Sequence, residues 1–179
     1  MSVTAPDASA DTWTKLDTWA TPRAAARNDT WTRTVQLPAN PAASSAAREH
    51  VKRVIKAWNT GVGGHPALGL AVVDGSVIDE DTVDTAVLLT SELVTNAITH
   101  GESPVTVAVS WSGGALRVEV HDKSRFMPAP WPVIDSADAE TGRGLLLVDT
   151  LASDWGFYRT PGGKAVYFTL DCADCAGQR

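Results

Sequence analysis

The sequence predicts an α+β domain built in two layers, and three observations lead to this fold class. Apolar residues recur at helical intervals over 44–58 and 79–100, and glycine ends each segment. Two pairs of strand-like segments are joined by Ser-Gly-Gly and Pro-Gly-Gly, which favour tight hairpin turns. The chain has 179 residues, of which 44% are hydrophobic, so it can bury one core.

The periodic pattern begins with a strand and a helix. Large side chains at every second position predict a strand over 31–37, which nearby prolines end. Ser44 or Ser45 is expected to cap a helix that runs to about Trp58. The segment 61–78 is glycine-rich and then apolar, and it is consistent with a loop or with a short strand.

A second helix is expected from about Asp79 to His100, because acidic residues favour a helix N-terminus and Gly101 can end the helix. Strands over 104–111 and 115–121 form the first predicted hairpin, so the sheet contains an antiparallel pair. The remaining elements are a proline-rich loop over 123–140, a helix that opens at 141–148, and a hairpin of 154–159 with 164–170.

The domain is expected to span residues 30–171, between a flexible extension at 1–29 and a short tail at 172–179. The net charge of −6 and a sequence pI near 5.1 oppose binding to nucleic acid, which needs a basic surface. No apolar run approaches the roughly 20 residues that cross a bilayer, and the first residues lack the pattern of a secretion signal. We therefore expect a cytoplasmic protein that contacts neither membrane nor nucleic acid.

Glu92 and Asn96 are four residues apart on the second predicted helix, so they project from one face. A carboxylate at this place can deprotonate a water or a hydroxyl, and an amide oxygen is a hard ligand that suits Mg²⁺. A solvated helix face has the same spacing, so the pair alone does not decide between the two interpretations.

Two later features suit a nucleotide. Asp122 lies at a predicted strand end, where its carboxylate can accept a hydrogen bond from the exocyclic amine of adenine. Gly142 and Gly144 open a predicted helix, and glycines there let backbone N–H groups approach phosphate oxygens. Each feature also has an ordinary explanation, as a turn after a strand or as a loop-to-helix junction.

These motifs, in this order, resemble those of the GHKL ATPases, which include gyrase, heat-shock chaperone, histidine kinase and MutL types. Three motifs carry the likeness: Glu92 to Gly101 for the N box, Asp122-Lys-Ser124 for the first glycine box, and Thr141-Gly-Arg-Gly144 for the second. A small domain with Asn-Ala-x-x-His-Gly and a closing Gly-Gly-Lys-x-Val-Tyr-Phe is similar to the anti-sigma-factor serine kinases. The resemblance covers about residues 30–170 and implies a Bergerat fold, with helices on one face of a mixed, mostly antiparallel sheet.

The resemblance implies Mg-ATP as the bound nucleotide and a role for each matched residue. Glu92 is expected to be the general base, Asn96 the Mg²⁺ ligand, and Asp122 the group that recognises adenine. The other residues expected to contact the nucleotide are His100, Ser124, Gly142, Arg143 and Gly144. Positioning and charge stabilisation supply most of the catalysis in phosphoryl transfer, so this small set suffices.

Two departures from the family pattern affect the site. Ser124 and Phe126 stand where many relatives have the glycines of the first glycine box, so the backbone there bends differently. Ala165 is expected beside the adenine, at a position where relatives often carry a threonine, and the change removes one hydrogen bond.

The function implied by the resemblance is that of an ATP-binding regulator of transcription, a serine/threonine-protein kinase of the anti-sigma-factor type. Such a protein phosphorylates a serine of an antagonist of the anti-anti-sigma type, and in its other state it sequesters a sigma factor. The alternative is a nucleotide-dependent binding module that switches partners without phosphoryl transfer. The resemblance also suggests a homodimer.

Overall fold

The computed structural model describes residues 13–15, 31–37, 40–60, 78–101, 104–112, 114–126 and 143–172. The strands within these ranges are β1 (Trp13–Lys15), β2 (Trp31–Leu37), β3 (Val105–Ser112), β4 (Ala115–Asp122), β5 (Asp154–Thr160) and β6 (Gly163–Asp171). The helices are α1 (Ala43–Thr60), α2 (Glu80–His100) and α3 (Arg143–Leu151).

The strands form one antiparallel sheet in the order β1-β2-β3-β4-β6-β5. Both predicted hairpins are confirmed, because β3 pairs with β4 and β5 pairs with β6. Gly114 and Gly163 have φ angles of 85° and 155°, so both turns use backbone conformations that favour glycine. The sequence did not predict β1, which pairs with β2 from within the expected extension at residues 1–29.

The core lies between the sheet and the three helices. Alternate residues of the central strands point toward the helices, and the helices contribute apolar residues at intervals of three and four. The largest fully buried apolar side chains include Ile55 of α1, Leu89 of α2, and Val118 and Phe168 of the sheet. This two-layer arrangement confirms the predicted α+β fold class.

The two long helices begin in different ways. The Asp79 carboxylate accepts a hydrogen bond from the backbone N–H of Thr82 at 2.7 Å, which confirms the predicted acidic start of α2. Helix α1 begins at Ala43, before the serines that were expected to cap it. Instead, the side chain of Asn40 accepts a hydrogen bond from the N–H of Ala42 at 3.0 Å.

Some predictions fall at or beyond the limits of the described residues. The segment 61–77 and most of the proline-rich loop, at 127–140, lie outside them. Cys172, the first residue of the expected tail, is buried, and its N–H donates to the Gly114 carbonyl at 3.0 Å. Among the residues with described structure, no helix is both long and apolar enough to cross a membrane.

Candidate functional site

Glu92 and Asn96 lie at the edge of the buried side of α2. Leu93, Val94 and Ala97 of the same helix are buried in the core, whereas Glu92 and Asn96 are half-buried. The two polar residues are about one helical turn apart, as the sequence predicted. Their side chains therefore reach a boundary between the core and solvent, where a ligand can approach them.

The first turn of α3 lies against this pair. A β-carbon added at Gly144 would stand 2.8 Å from Oε2 of Glu92 and 3.3 Å from Nδ2 of Asn96. A helix N-terminus has N–H groups without helical partners and a partial positive charge, so it favours anionic groups such as phosphates. The structure thus brings a carboxylate, an amide and a helix N-terminus together.

Asp122 closes β4 and is buried, with 2% of its side chain exposed. Its Oδ1 accepts a hydrogen bond from the backbone N–H of Ser124 at 2.7 Å. Its Oδ2 lies 3.2 Å from Nζ of Lys164. An ionised carboxylate has about four acceptor positions, so Asp122 keeps the capacity to accept a hydrogen bond from a ligand amine.

Gly101 connects Asp122 to α2. A β-carbon on Gly101 would stand 2.8 Å from Cγ of Asp122 and would collide with the carbonyl oxygen of Ala97. Gly101 is five residues beyond Asn96, which corresponds to about 7.5 Å along a helix axis. One helix therefore carries Glu92 and Asn96 along its length and meets Asp122 at its end.

The other predicted residues take different places. His100 ends α2 and is exposed. Arg143 begins α3, and Gly142 lies outside the described residues. Ser124 is buried, and its Oγ accepts a hydrogen bond from the N–H of Phe126 at 3.2 Å. Ser124 therefore stabilises the turn after β4 through its own side chain and backbone, at a position where relatives use glycine.

Lys164 on β6 lies 3.2 Å from Asp122, a contact that the sequence interpretation did not include. The strand register pairs Asp122 with Lys164 and His121 with Ala165, and directly paired residues point to the same face of a sheet. Lys164 therefore faces Asp122 on the helix side, whereas Ala165 points away from it. Ala165 and Asp122 therefore cannot both face an adenine from the same side of the sheet, because neighbouring positions of a strand point to opposite faces.

A second polar cluster lies on the opposite face of the sheet, around the buried Glu119. Its carboxylate accepts hydrogen bonds from Arg117 Nε and the Tyr158 hydroxyl, both at 2.8 Å, and lies 3.2 Å from His121 Nε2. The Arg117 guanidinium also lies 3.5 Å from the ring centroid of Tyr167. Since Arg117, Glu119 and His121 alternate with core residues along β4, the cluster belongs to the outer face and not to the candidate site.

Charge and burial compete in this outer cluster. Burial alone opposes ionisation of Glu119, but the hydrogen bonds from His121, Arg117 and Tyr158 outweigh it and hold the pKa below its ordinary value of 4.5. Burial, together with the hydrogen bond to Glu119, raises the pKa of Tyr158 well above its usual range. The cluster is therefore ionised at Glu119 and neutral at Tyr158 at neutral pH.

The donor set of the candidate site fits a magnesium nucleotide. Within the described ranges, no group of three or more His, Cys, Asp or Glu side chains could hold a metal ion. Mg²⁺ is often bound by one or two protein oxygens and completes its octahedron with phosphate and water oxygens. Asn96, beside a helix N-terminus suited to phosphates, would hold the ion in that way, and the ion would neutralise phosphate charge.

Comparisons with known proteins found a matching protein family and matching solved structures. A family model described as a histidine kinase-like ATPase domain matches residues 37–170, which is more than half of the chain. One matching solved structure is the histidine kinase domain of a blue-light activated histidine kinase from Erythrobacter litoralis, with 24% identity and a TM-score of 0.42. That match covers 74% of this chain and 66% of the other, just under two thirds of its length. No match was found among curated proteins.

Proposed function

Because the chain belongs to the histidine kinase-like ATPase family within the GHKL superfamily, we propose that it transfers the γ-phosphoryl group of Mg-ATP to a serine of an antagonist protein. The family supplies the ATP-binding character, and the residues of the site suggest how the transfer proceeds. The observation that carries the proposal is the contact of Gly144 with Glu92 and Asn96. A carboxylate, an amide and a helix N-terminus lie side by side there, which supports their assignment as base, magnesium ligand and phosphate-binding group.

Each residue has one task in the proposed reaction. Asp122 accepts a hydrogen bond from the adenine amine, and the N-terminus of α3 holds the phosphates. Glu92 accepts the proton of the substrate serine hydroxyl while the serine oxygen forms a bond to the γ-phosphorus. The bond from this phosphorus to the β–γ bridging oxygen breaks, which releases ADP and leaves phosphoserine. A positioned general base typically contributes about 10²- to 10⁴-fold to such a step.

The regulatory role is proposed from the motifs around the site. An Asn-Ala-x-x-His-Gly N box in a small domain resembles anti-sigma-factor kinases, which supports a sigma factor and an anti-anti-sigma antagonist as alternating partners. The same resemblance supports a homodimer. Phosphorylation would reduce the affinity of the antagonist and leave the protein available to sequester the sigma factor.

A second candidate function is a nucleotide-dependent binding module that switches partners without phosphoryl transfer. The turn after β4 favours it, because Ser124 is buried and hydrogen-bonded where relatives have glycine. A turn stabilised by its own hydrogen bonds can still present Asp122 to the adenine of a nucleotide. The conformational response of this turn to the bound nucleotide would differ from that of a glycine-rich turn.

A Glu92→Gln variant tests the proposed function, with Glu80→Gln at an exposed position of α2 as the matched control. The full chain is incubated with γ-labelled Mg-ATP and a panel of anti-anti-sigma-type antagonist proteins, and phosphoserine is located by mass spectrometry. Mg-ATP affinity is measured in parallel by calorimetry. We expect Glu92→Gln to retain binding and to lose transfer by a factor of about 10² or more, with Glu80→Gln unchanged.

Three other outcomes would contradict the proposed function in different ways. Undiminished transfer by Glu92→Gln would remove the assigned base. Binding of Mg-ATP without transfer by the unaltered chain would favour the second candidate. Absence of Mg-ATP binding in the unaltered chain would overturn both.

A further inference from the structure

We propose that Lys164 is a second adenine-recognising group, which donates a hydrogen bond from Nζ to the ring nitrogen N1 while Asp122 accepts from the exocyclic amine. This inference rests on the proposed function, since it requires the nucleotide to bind at Asp122. It assigns a role in nucleotide specificity to Lys164 of β6, which faces Asp122 because of the register of β6 on β4.

The position of Lys164 follows from the sheet. Lys164 and Asp122 are direct partners on β6 and β4, and both side chains point to the helix side. Nζ of Lys164 lies 3.2 Å from Oδ2 of Asp122. Only 8% of the lysine side chain and 2% of the aspartate side chain are exposed. The ammonium group is therefore held at the carboxylate and does not extend into solvent, which is unusual for lysine.

Hydrogen-bonding capacity remains on both groups after this contact. An ammonium has three donors, which is more than its single ion pair with Asp122 can use. The carboxylate accepts a hydrogen bond from the Ser124 N–H at Oδ1 and forms an ion pair with Lys164 through Oδ2, which leaves acceptor positions on each oxygen. The pair can therefore present one acceptor and one donor, side by side, to a ligand.

Adenine has the complementary pattern. Its exocyclic amine is a donor and the neighbouring N1 is an acceptor. Guanine placed in the same orientation presents the O6 acceptor to the carboxylate and the N1–H donor to the ammonium, so it is mismatched at both positions. A site that holds an acceptor beside a donor thus discriminates more strongly against guanine than a carboxylate alone, because mismatched buried groups are left unpaired.

A purely structural role for Lys164 makes a different prediction. A buried lysine could simply neutralise Asp122, and its removal would then weaken binding of every nucleotide that uses Asp122. Only a direct contact makes the effect of Lys164 depend on the N1 atom of the base. The N1 atom can be removed chemically, because 1-deaza-ATP has a C–H group in its place.

The experiment is a thermodynamic cycle that combines two nucleotides, with and without N1, and two proteins, with and without the Lys164 ammonium group. The full chain and its Lys164→Met variant are titrated calorimetrically with Mg-ATP and Mg-1-deaza-ATP. Mg-7-deaza-ATP serves as the control ligand, and Lys52→Met, at an exposed position of α1, serves as the control variant. We expect the unaltered chain and Lys52→Met to bind 1-deaza-ATP about tenfold more weakly than ATP. Lys164→Met should bind these two nucleotides with equal affinity.

The outcomes separate the inference from the proposed function. If Lys164→Met weakens ATP and 1-deaza-ATP by the same factor, Lys164 only supports Asp122 and the inference is overturned while the ATP site stands. If the unaltered chain binds no ATP, both are overturned. Should Lys164→Met not fold, the two affinities of the unaltered chain still decide, because equal affinities for ATP and 1-deaza-ATP exclude the N1 contact.

Discussion

Gly144 of α3 lies in direct contact with Glu92 of α2, since a β-carbon on the glycine would stand 2.8 Å from Oε2 of the glutamate. The contact joins two motifs that are about fifty residues apart in the sequence. A β-carbon at this position would require the Glu92 carboxylate to shift. Any side chain there would occupy the space in which the catalytic carboxylate is proposed to act.

Substitution of this glycine tests the contact. Gly144→Ala places a methyl group on the Glu92 carboxylate and 3.3 Å from Nδ2 of Asn96, so the polar pair must shift. We expect calorimetry to show at least a tenfold loss of Mg-ATP affinity. The thermal midpoint of unfolding should change little, because the better helix propensity of alanine offsets part of the crowding. Gly162→Ala is the control, since a β-carbon there meets nothing within 4 Å.

Gly101 is expected to matter for stability as well as for binding. A β-carbon there would collide with the Ala97 carbonyl and stand 2.8 Å from Cγ of Asp122, and backbone atoms cannot move aside as a flexible side chain can. We expect Gly101→Ala to lower the free energy of unfolding by about 2 kcal/mol or more in urea titration. Thr99→Ala, at an exposed position of the same turn, should change it by less than about 0.5 kcal/mol. Equal effects of the two changes would contradict the close contact.

Glu119 on the outer face should make stability depend on pH. Its pKa is lowered in the folded state, so its stabilising contribution is fully present above the unfolded pKa and disappears as pH falls through the folded pKa. We expect Glu119→Gln to reduce the free energy of unfolding by about 1–3 kcal/mol at pH 7. The difference from the unaltered chain should narrow below about pH 4.5, the ordinary value for this group. Urea unfolding of the unaltered chain and of Glu119→Gln at pH 7 and pH 4 measures this stability difference at each pH. An equal difference at the two pH values would show that ionisation of Glu119 is not involved.

The cap of α2 gives an independent prediction about the helix that carries the site. Asp79 accepts hydrogen bonds from the N–H and hydroxyl of Thr82 at 2.7 and 2.8 Å. Asp79→Ala should therefore lower the free energy of unfolding by about 1 kcal/mol. Asp79→Ser should retain most of the stabilisation that the cap provides, because serine can also accept the hydrogen bond from Thr82. Thermal unfolding monitored by circular dichroism distinguishes the two variants. Indistinguishable midpoints for alanine and serine would mean that the cap contributes little.

The helices and hairpins were predictable because local patterns determine them. The apolar spacing of α2, its acidic start and the glycine after His100 all lie within one stretch of sequence, and the turns at Gly114 and Gly163 have clear glycine signals. The closeness of Glu92 and Asn96 follows from helix geometry alone. These parts of the site need no information about how distant segments pack.

The parts that could not be predicted depend on long-range packing. Whether Lys164 or Ala165 faces Asp122 is decided by the register of β6 on β4, which no local pattern specifies. The contact of Gly101 with Asp122 likewise depends on how the end of α2 docks on β4. Strand β1 has only three residues, which is too short for a periodic pattern to reveal its pairing with β2.

The most direct test of the account is calorimetric titration of the full chain with Mg-ATP and Mg-GTP, beside an Asp122→Asn variant and an exposed control, Asp84→Asn. We expect the unaltered chain to bind ATP and not GTP, the Asp122→Asn variant to lose ATP binding, and the Asp84→Asn variant to retain it. Binding of neither nucleotide, or ATP binding that survives Asp122→Asn unchanged, would contradict the proposed adenine site.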